Sequence, residues 1–215
     1  MADVDEEKRL AAEAAAELVE ARMTVGLGSG STVAYLLPAL ARRHLDIRCV
    51  ATSPTTAEVA RSLGLDVAPF SDLARLDLAI DGADQVDPAG WLIKGGGGAH
   101  TREKVVAGAA ERFVVIVSSN KLVDALRPPV PLELLAFGID ATLRAVGDAR
   151  LSEAPPSPDG GVLARYFGPL EDPAVLARRL SDTPGVVEHG LFPPRMVSEV
   201  LVGQGGDVRR HPADG

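Results

Sequence analysis

The sequence predicts an α/β protein: a mostly parallel sheet flanked by helices, followed by a second, smaller α+β unit. Three observations carry this. Short apolar, β-prone runs alternate with helically spaced runs as far as Val117, the pattern of parallel βαβ units with helices on both sheet faces. The prolines of Arg127-Pro128-Pro129-Val130-Pro131 mark a boundary. Beyond them, strand-like and helix-like pieces follow one another without that alternation. The 215 residues suffice for one α/β domain with a small appendage. We place the larger domain at 1–128, rejoined at about 200–210, and the smaller at 129–199.

Each element has a local reason. Residues 5–22, rich in Ala, Glu, Lys and Leu, favour a helix, with Leu10, Ala14 and Leu18 as its buried stripe. Met23–Leu27 is a short apolar strand that breaks into glycines. From Thr32 to about Leu45 helical spacing returns through Val33, Leu36, Leu37 and Leu40, and Pro38 inside it predicts a kink or a late start. Ile47–Ala51 reads as a strand, Thr55–Leu63 as a helix, Leu78–Ile80 as a strand, His100–Arg112 as a helix and Phe113–Val117 as a buried strand. In the second unit, Asp140–Val146 is helix-like and Ala154–Gly161 turn-rich. Val162–Tyr166, Gly185–His189 and Ser198–Val202 are strand-like. Asp172-Pro173 gives an N-cap with Pro at the first helical position, opening a helix to about Leu180. The polar tail from Gly205 reads as frayed.

Composition excludes several function classes. Apolar residues make up 46% and aromatics only 4%, so the core rests on Ala, Val, Leu and Ile. Neither a stacking platform nor a basic groove for nucleic acid is present. A net charge of −8 disfavours nucleic acid and acidic membranes, while a local site can still hold an anion. The single cysteine, Cys49, permits no intrachain disulfide and no Cys-based zinc site. It points to a reducing, cytoplasmic compartment and reads as a buried strand residue. The acidic N-terminus lacks signal-peptide order, and no apolar run reaches membrane-spanning length.

Three segments carry chemistry, and each follows a predicted strand, where ligands bind in open α/β sheets. Gly26-Leu27-Gly28-Ser29-Gly30-Ser31-Thr32 leads into a helix. Its amides and the hydroxyls of Ser29, Ser31 and Thr32 can donate to phosphate oxygens. The dinucleotide fingerprint fails at Ser31, and no Gly-Lys-Ser/Thr follows, so a sugar phosphate suits the loop better than a nucleotide. Asp81-Gly82-Ala83-Asp84 ends an apolar strand with two carboxylates that can hold sugar hydroxyls and move protons, bind a hard divalent cation, or simply cap a turn. Asp87-Pro88 is turn chemistry. Lys94-Gly95-Gly96-Gly97-Gly98-Ala99-His100-Thr101-Arg102-Glu103 combines a cation, four glycines and a helix-borne carboxylate. So many glycines suggest backbone wrapped closely around a small ligand. Lys94 can stabilise developing negative charge, and Glu103 lies in the first turns of the next helix. His100 reads as a solvated or capping residue.

Taken together, GLGSGST (26–32), ATSPTTAEVARSLG (51–64), DLAIDGADQVDPAGWLIKGGGGAHTREKVVA (77–107), SNK (119–121) and PGVVEHGLF (184–192) resemble the type A ribose-5-phosphate isomerase family in order and spacing. The resemblance implies a Rossmann-like catalytic domain with a smaller α+β domain. It implies interconversion of D-ribose 5-phosphate and D-ribulose 5-phosphate through a cis-enediolate, with no metal or organic cofactor, in a homodimer or tetramer. By position, Glu103 matches the family's catalytic base, and Asp81, Asp84 and Lys94 its polar residues around the sugar. Ser29, Gly30, Ser31 and Thr32 match the substrate loop, Lys121 the phosphate-side lysine, and Lys8 a first-helix lysine reaching toward the phosphate. Gly82, Ala83, Gly95, Gly96 and Gly97 join the substrate-binding set. Gln85 stands where the family usually has Glu, Ser118 where it has Asp, and His100 where Leu is common. Residues 148–170 are shortened, with Pro158-Asp159-Gly160-Gly161 for the family's turn. The competing readings are a divergent paralogue acting on another sugar phosphate, a lactonase-like hydrolase, and a non-catalytic sugar-phosphate sensor. Ser118 to Lys121 also spells Ser-x-x-Lys, but the companion Lys-Thr-Gly is absent.

Overall fold

The computed structural model describes residues 3–73 and 75–212. In chain order the elements are α1 (Val4–Ala16), β1 (Thr24–Leu27), α2 (Val33–Arg42), β2 (Arg48–Ala51), α3 (Pro54–Ser62), β3 (Asp66–Val67), β4 (Leu76–Asp81), β5 (Gln85–Val86), β6 (Leu92–Ile93), α4 (His100–Ala109) and β7 (Ala110–Ser118). They continue with β8 (Val130–Leu134), α5 (Ile139–Val146), β9 (Ala149–Leu151), β10 (Val162–Tyr166), α6 (Pro173–Ser181), β11 (Val186–His189), β12 (Leu191–Phe192), β13 (Glu199–Gln204) and β14 (Asp207–Pro212). They form two compact units. The first holds the described residues up to Ala83, then Arg102–Leu122 and the chain from Arg195. The second holds Asp84–Thr101 and Val123–Pro194.

In the first unit, seven strands run in the order β14-β13-β7-β4-β1-β2-β3. All neighbours are parallel except β13 and β14. Central β7 is buried without interruption from Phe113 to Ser118, as a parallel strand covered on both faces must be. Helix α1 differs from its expected stripe. Ala11, Ala12, Ala15 and Ala16 are buried, whereas Leu10, Ala14 and Leu18 are half-buried. A Cβ on Gly203 of β13 would overlap the backbone of Glu7, so the helix rides close on that strand and only small side chains fit beneath it. The helix also stops at Ala16, short of residue 22. Helix α2 runs through Pro38. Ser53 caps α3, accepting from Thr56 N at 3.1 Å, with Pro54 in its first turn. Cys49 is buried in β2, and burial pushes its thiol up to about 12. The described part of the tail is not frayed: Asp207–Pro212 pairs with β13 over six positions, and residues 213–215 lie outside the described residues.

The second unit is antiparallel throughout. One sheet has the order β11-β8-β10-β9 and the other β12-β6-β5. Val130, Leu132, Leu134, Ala164, Tyr166, Leu180 and Leu191 form its core. Asp172 caps α6 by accepting from Ala174 N at 2.8 Å and Val175 N at 3.1 Å. The compact units part from the expected 1–128 boundary. Residues 84–101 go with the second unit, because β6 pairs with β12, and 123–128 join them. Among the described residues, no helix is long and apolar enough to cross a membrane.

Candidate functional site

In the first unit, the glycine-rich loop and the end of β4 share one cluster of polar atoms. Gly28 N donates to Ile80 O at 2.9 Å, which sets the loop beside Asp81. The Asp81 carboxylate is buried, and its Oδ1 accepts from Ser29 N at 3.0 Å and Gly82 N at 2.7 Å. A side chain on Gly28 would strike Asp81, its Cβ falling 2.5 Å from Asp81 Cβ and closer still to the carboxyl group. Glycine is therefore required here by the carboxylate. Ser29 Oγ donates to Glu103 Oε1 at 2.7 Å, and Glu103 is buried in the first turn of α4. Three expected residues, Ser29, Asp81 and Glu103, thus meet. Gly30 turns at φ +95. Thr32 stands at the N-cap of α2 without a side-chain capping bond, and Ser31 is exposed.

Elsewhere in this unit, Lys121 closes the one-turn 3-10 helix Ser119–Lys121 that follows β7. It is half-buried and joins no ion pair among the described residues. Lys8 is paired with Asp5 at 3.0 Å on its own helix.

In the second unit, Asp84 Oδ2 accepts from Gly96 N at 2.9 Å, which ties the carboxylate loop to the glycine run. Lys94 is buried, with Nζ 5.4 Å from the centre of the Phe192 ring. Its backbone N donates to Gly190 O at 2.9 Å. His100 is neither solvated nor exposed: the ring is buried and packs on Gly95 at φ +99, where a Cβ would overlap it. Gln85 uses both ends of its amide on Arg127, donating to its O at 2.9 Å and accepting from its N at 2.8 Å. An ionised Glu could not make the first of these bonds. Asp87 forms the expected turn, accepting from Trp91 N at 2.8 Å. Among the described residues, no three His, Cys, Asp or Glu side chains gather to hold a metal ion.

The sequence profile of ribose 5-phosphate isomerase A (phosphoriboisomerase A) matches residues 48–207. The chain belongs to this family. The ribose-5-phosphate isomerase A of Caulobacter vibrioides NA1000 is 45% identical over 225 residues, covering 97% of this chain and 99% of that one. Among solved structures, ribose 5-phosphate isomerase A from Neisseria gonorrhoeae aligns over all of both chains with a TM-score of 0.95 and 30% identity. A D-ribose-5-phosphate isomerase in complex with phospho-erythronic acid aligns over 98% of this chain and 99% of that one, with a TM-score of 0.92 and 33% identity. Gln85, Ser118 and His100, the positions where a departure from the family was expected, sit inside a fold shared with these structures.

Two buried carboxylates went unnoticed in the sequence. Glu133 of β8 accepts from Ser157 Oγ at 2.5 Å and from Thr101 Oγ1. It ties the Ser157–Gly161 turn and Thr101, at the start of α4, to one strand. Glu7 of α1 accepts from Ser119 N at 2.9 Å and Ser119 Oγ at 2.7 Å. An acid in an otherwise alanine-lined helix face was the only available signal for Glu7. Glu133, inside the apolar run of β8, left a similar one.

Proposed function

We propose that this chain interconverts D-ribose 5-phosphate and D-ribulose 5-phosphate through a cis-enediolate, with Glu103 as the base. The observation that carries this reading is the 2.7 Å hydrogen bond from Ser29 Oγ to the buried Glu103 carboxylate. It fixes the acid against the glycine-rich loop, on the side where that loop meets Asp81. Asp81 takes a ring-hydroxyl proton as the sugar opens. Glu103 then removes the C2 proton of the aldose and returns it at C1, while a proton passes from O2 to O1. Lys94, with the Gly95 and Gly97 amides of the glycine run that Gly96 joins, stabilises charge on the enediolate oxygens. Asp84 holds the glycine run through Gly96 N, and Gly82 and Ala83 carry the chain between the two acids. The phosphate belongs to Gly30, Ser31 and Thr32, at a helix start whose amides lack a side-chain cap and so suit an anion, while Ser29 begins that loop with its own donors on Asp81 and Glu103. Lys121 and Lys8 supply its cations. Anchoring the phosphate lets remote binding energy orient the reacting carbons. The same reading includes a homodimer or tetramer in the cytoplasm, its size measurable by sedimentation.

The test is Glu103→Gln. The amide oxygen still accepts from Ser29, so ribose 5-phosphate binding stays within about threefold, while turnover falls on the order of 10²–10⁴-fold, the worth of a positioned base. Exchange of the C2 proton with solvent disappears with it. Turnover near the parent value would remove Glu103 from the reaction.

A further inference from the structure

Glu7 plays no part in the chemistry above, yet it is a carboxylate placed where an apolar side chain would serve the fold better. It is 2% exposed, on the face of α1 otherwise built from Ala11, Ala12, Ala15 and Ala16. Burying an ionised acid costs several kcal/mol unless its oxygens are hydrogen-bonded. Nearly all of the compensation comes from one residue. Ser119 gives Glu7 Oε2 both its backbone N–H, at 2.9 Å, and its hydroxyl, at 2.7 Å. Burial works against the ionised form, but the two Ser119 bonds, with the nearby Gly205 backbone N–H, hold the carboxyl below its ordinary value, so the group is charged at neutral pH.

Ser119 opens the single 3-10 turn that ends in Lys121, and its carbonyl accepts from Leu122 N at 3.2 Å. The turn has no acid of its own: Ser118 Oγ donates instead to Asn120 Oδ1 at 2.6 Å. Helix α1 is itself fixed, since Gly203 of β13 lies against the Glu7 backbone. The route from scaffold to lysine is therefore short: β13, α1, the Glu7 carboxylate, Ser119, Lys121.

We infer that Glu7 is a positioning residue for the phosphate end of the site: its carboxylate clamps Ser119 and thereby sets the turn that presents Lys121 to the substrate phosphate. This rests on the assignment of Lys121 to the phosphate. Without the clamp the turn gains freedom, and Lys121 must be ordered when ligand arrives, which weakens binding and leaves the proton transfer untouched.

The experiment is steady-state kinetics with ribose 5-phosphate on Glu7→Leu, Glu7→Gln, Ser119→Ala and Lys121→Ala, with the first three also made in the Lys121→Ala background. Glu7→Leu and Ser119→Ala should each raise KM about tenfold, the equivalent of one charge-assisted hydrogen bond, with kcat within about threefold. Glu7→Gln retains an acceptor oxygen and should restore KM to within about threefold. In the Lys121→Ala background none of the three should raise KM further, because Glu7 acts only through that lysine. An unchanged KM in Glu7→Leu and Ser119→Ala overturns the inference, as does a rise that persists without Lys121. If Lys121→Ala alone leaves KM unchanged, the phosphate assignment fails and the clamp fails with it. That outcome is distinct from a KM raised by Lys121→Ala but not by Glu7→Leu. Should Glu7→Leu not fold, Ser119→Ala carries the same outcomes.

Discussion

Gly28→Ala tests the geometry of the site without touching a group that carries charge or protons. Gly28 has an ordinary negative-φ backbone, since it is not among the positive-φ glycines, so alanine strains no dihedral angle there. The difficulty is space: the new Cβ would lie 2.5 Å from Asp81 Cβ and inside the carboxyl group. Ordinary contact requires roughly another ångström of separation, so the buried Asp81 must swing away. Its Oδ1 then leaves Ser29 N at 3.0 Å and Gly82 N at 2.7 Å. Two hydrogen bonds to a charged group are worth about 3–6 kcal/mol together, set against a total stability of about 5–15 kcal/mol. For a chain of this size that corresponds to a fall in Tm of about 6–24 °C. Because Ser29 also orients Glu103, kcat should fall with it. Thermal melting by circular dichroism and the isomerisation assay read the two effects. A melting temperature within a degree or two of the parent, with unchanged kcat/KM, would refute the claim that this glycine exists to admit the Asp81 carboxylate.

Gly97→Ala should leave melting nearly unchanged, because a Cβ there meets nothing within 4 Å and its φ is not positive; a raised KM in that variant would report backbone approach to bound sugar phosphate, and an unchanged KM would remove Gly97 from the substrate set. Asp77 is held below the usual carboxylate range by hydrogen bonds from Thr24 N and Thr24 Oγ1, both at 2.7 Å, with burial opposing them. The stability it contributes is complete above its unfolded pKa of about 3.9 and is lost as pH falls through the lower folded value. Asp77→Asn should therefore flatten the acid limb of Tm against pH, and an unaltered limb would count against the assignment.

Much of this was legible in the sequence, for identifiable reasons. Strand Val162–Tyr166 has its expected bounds because it is an apolar run set off by turn residues. Helix α6 starts where Asp172-Pro173 says it must. The three candidate segments stand out because glycine clusters and acids interrupt apolar strands at their ends. Other features were invisible because they depend on remote partners. The two-residue strands β3, β5, β6 and β12 are too short to show alternation. The polar strand β14 is specified by the backbone of β13 rather than by its own pattern. The bonds Ser29 to Glu103 and Ser119 to Glu7 join residues 74 and 112 positions apart.

The glycine run shows how the packing around each residue refines an argument made from glycine content alone. Four glycines after Lys94 suggested backbone wrapped around a ligand, contributing nothing to a core. The structure divides them by what stands in the way of a side chain. Gly95 and Gly98 have φ of +99 and +80, and a Cβ would overlap the His100 ring at one and Leu163 at the other. Both are therefore packing glycines, and His100 is buried because Gly95 leaves room for it. Gly96 is tight against Asp84, whose Oδ2 it would meet at 3.2 Å, and its amide is already spent on that carboxylate. Only at Gly97 is the added space open. The same contrast separates Gly28, which the protein's own Asp81 fills, from Gly30, where nothing lies within 4 Å. A glycine that the fold itself requires says little about a ligand, whereas one facing open space inside a site motif has no structural reason beyond its backbone angle. By that criterion Gly97 is the glycine whose substitution should register in KM more than in Tm, and Gly28 and Gly95 those where the order is reversed, while Gly30 at φ +95 strains any replacement and should register in both.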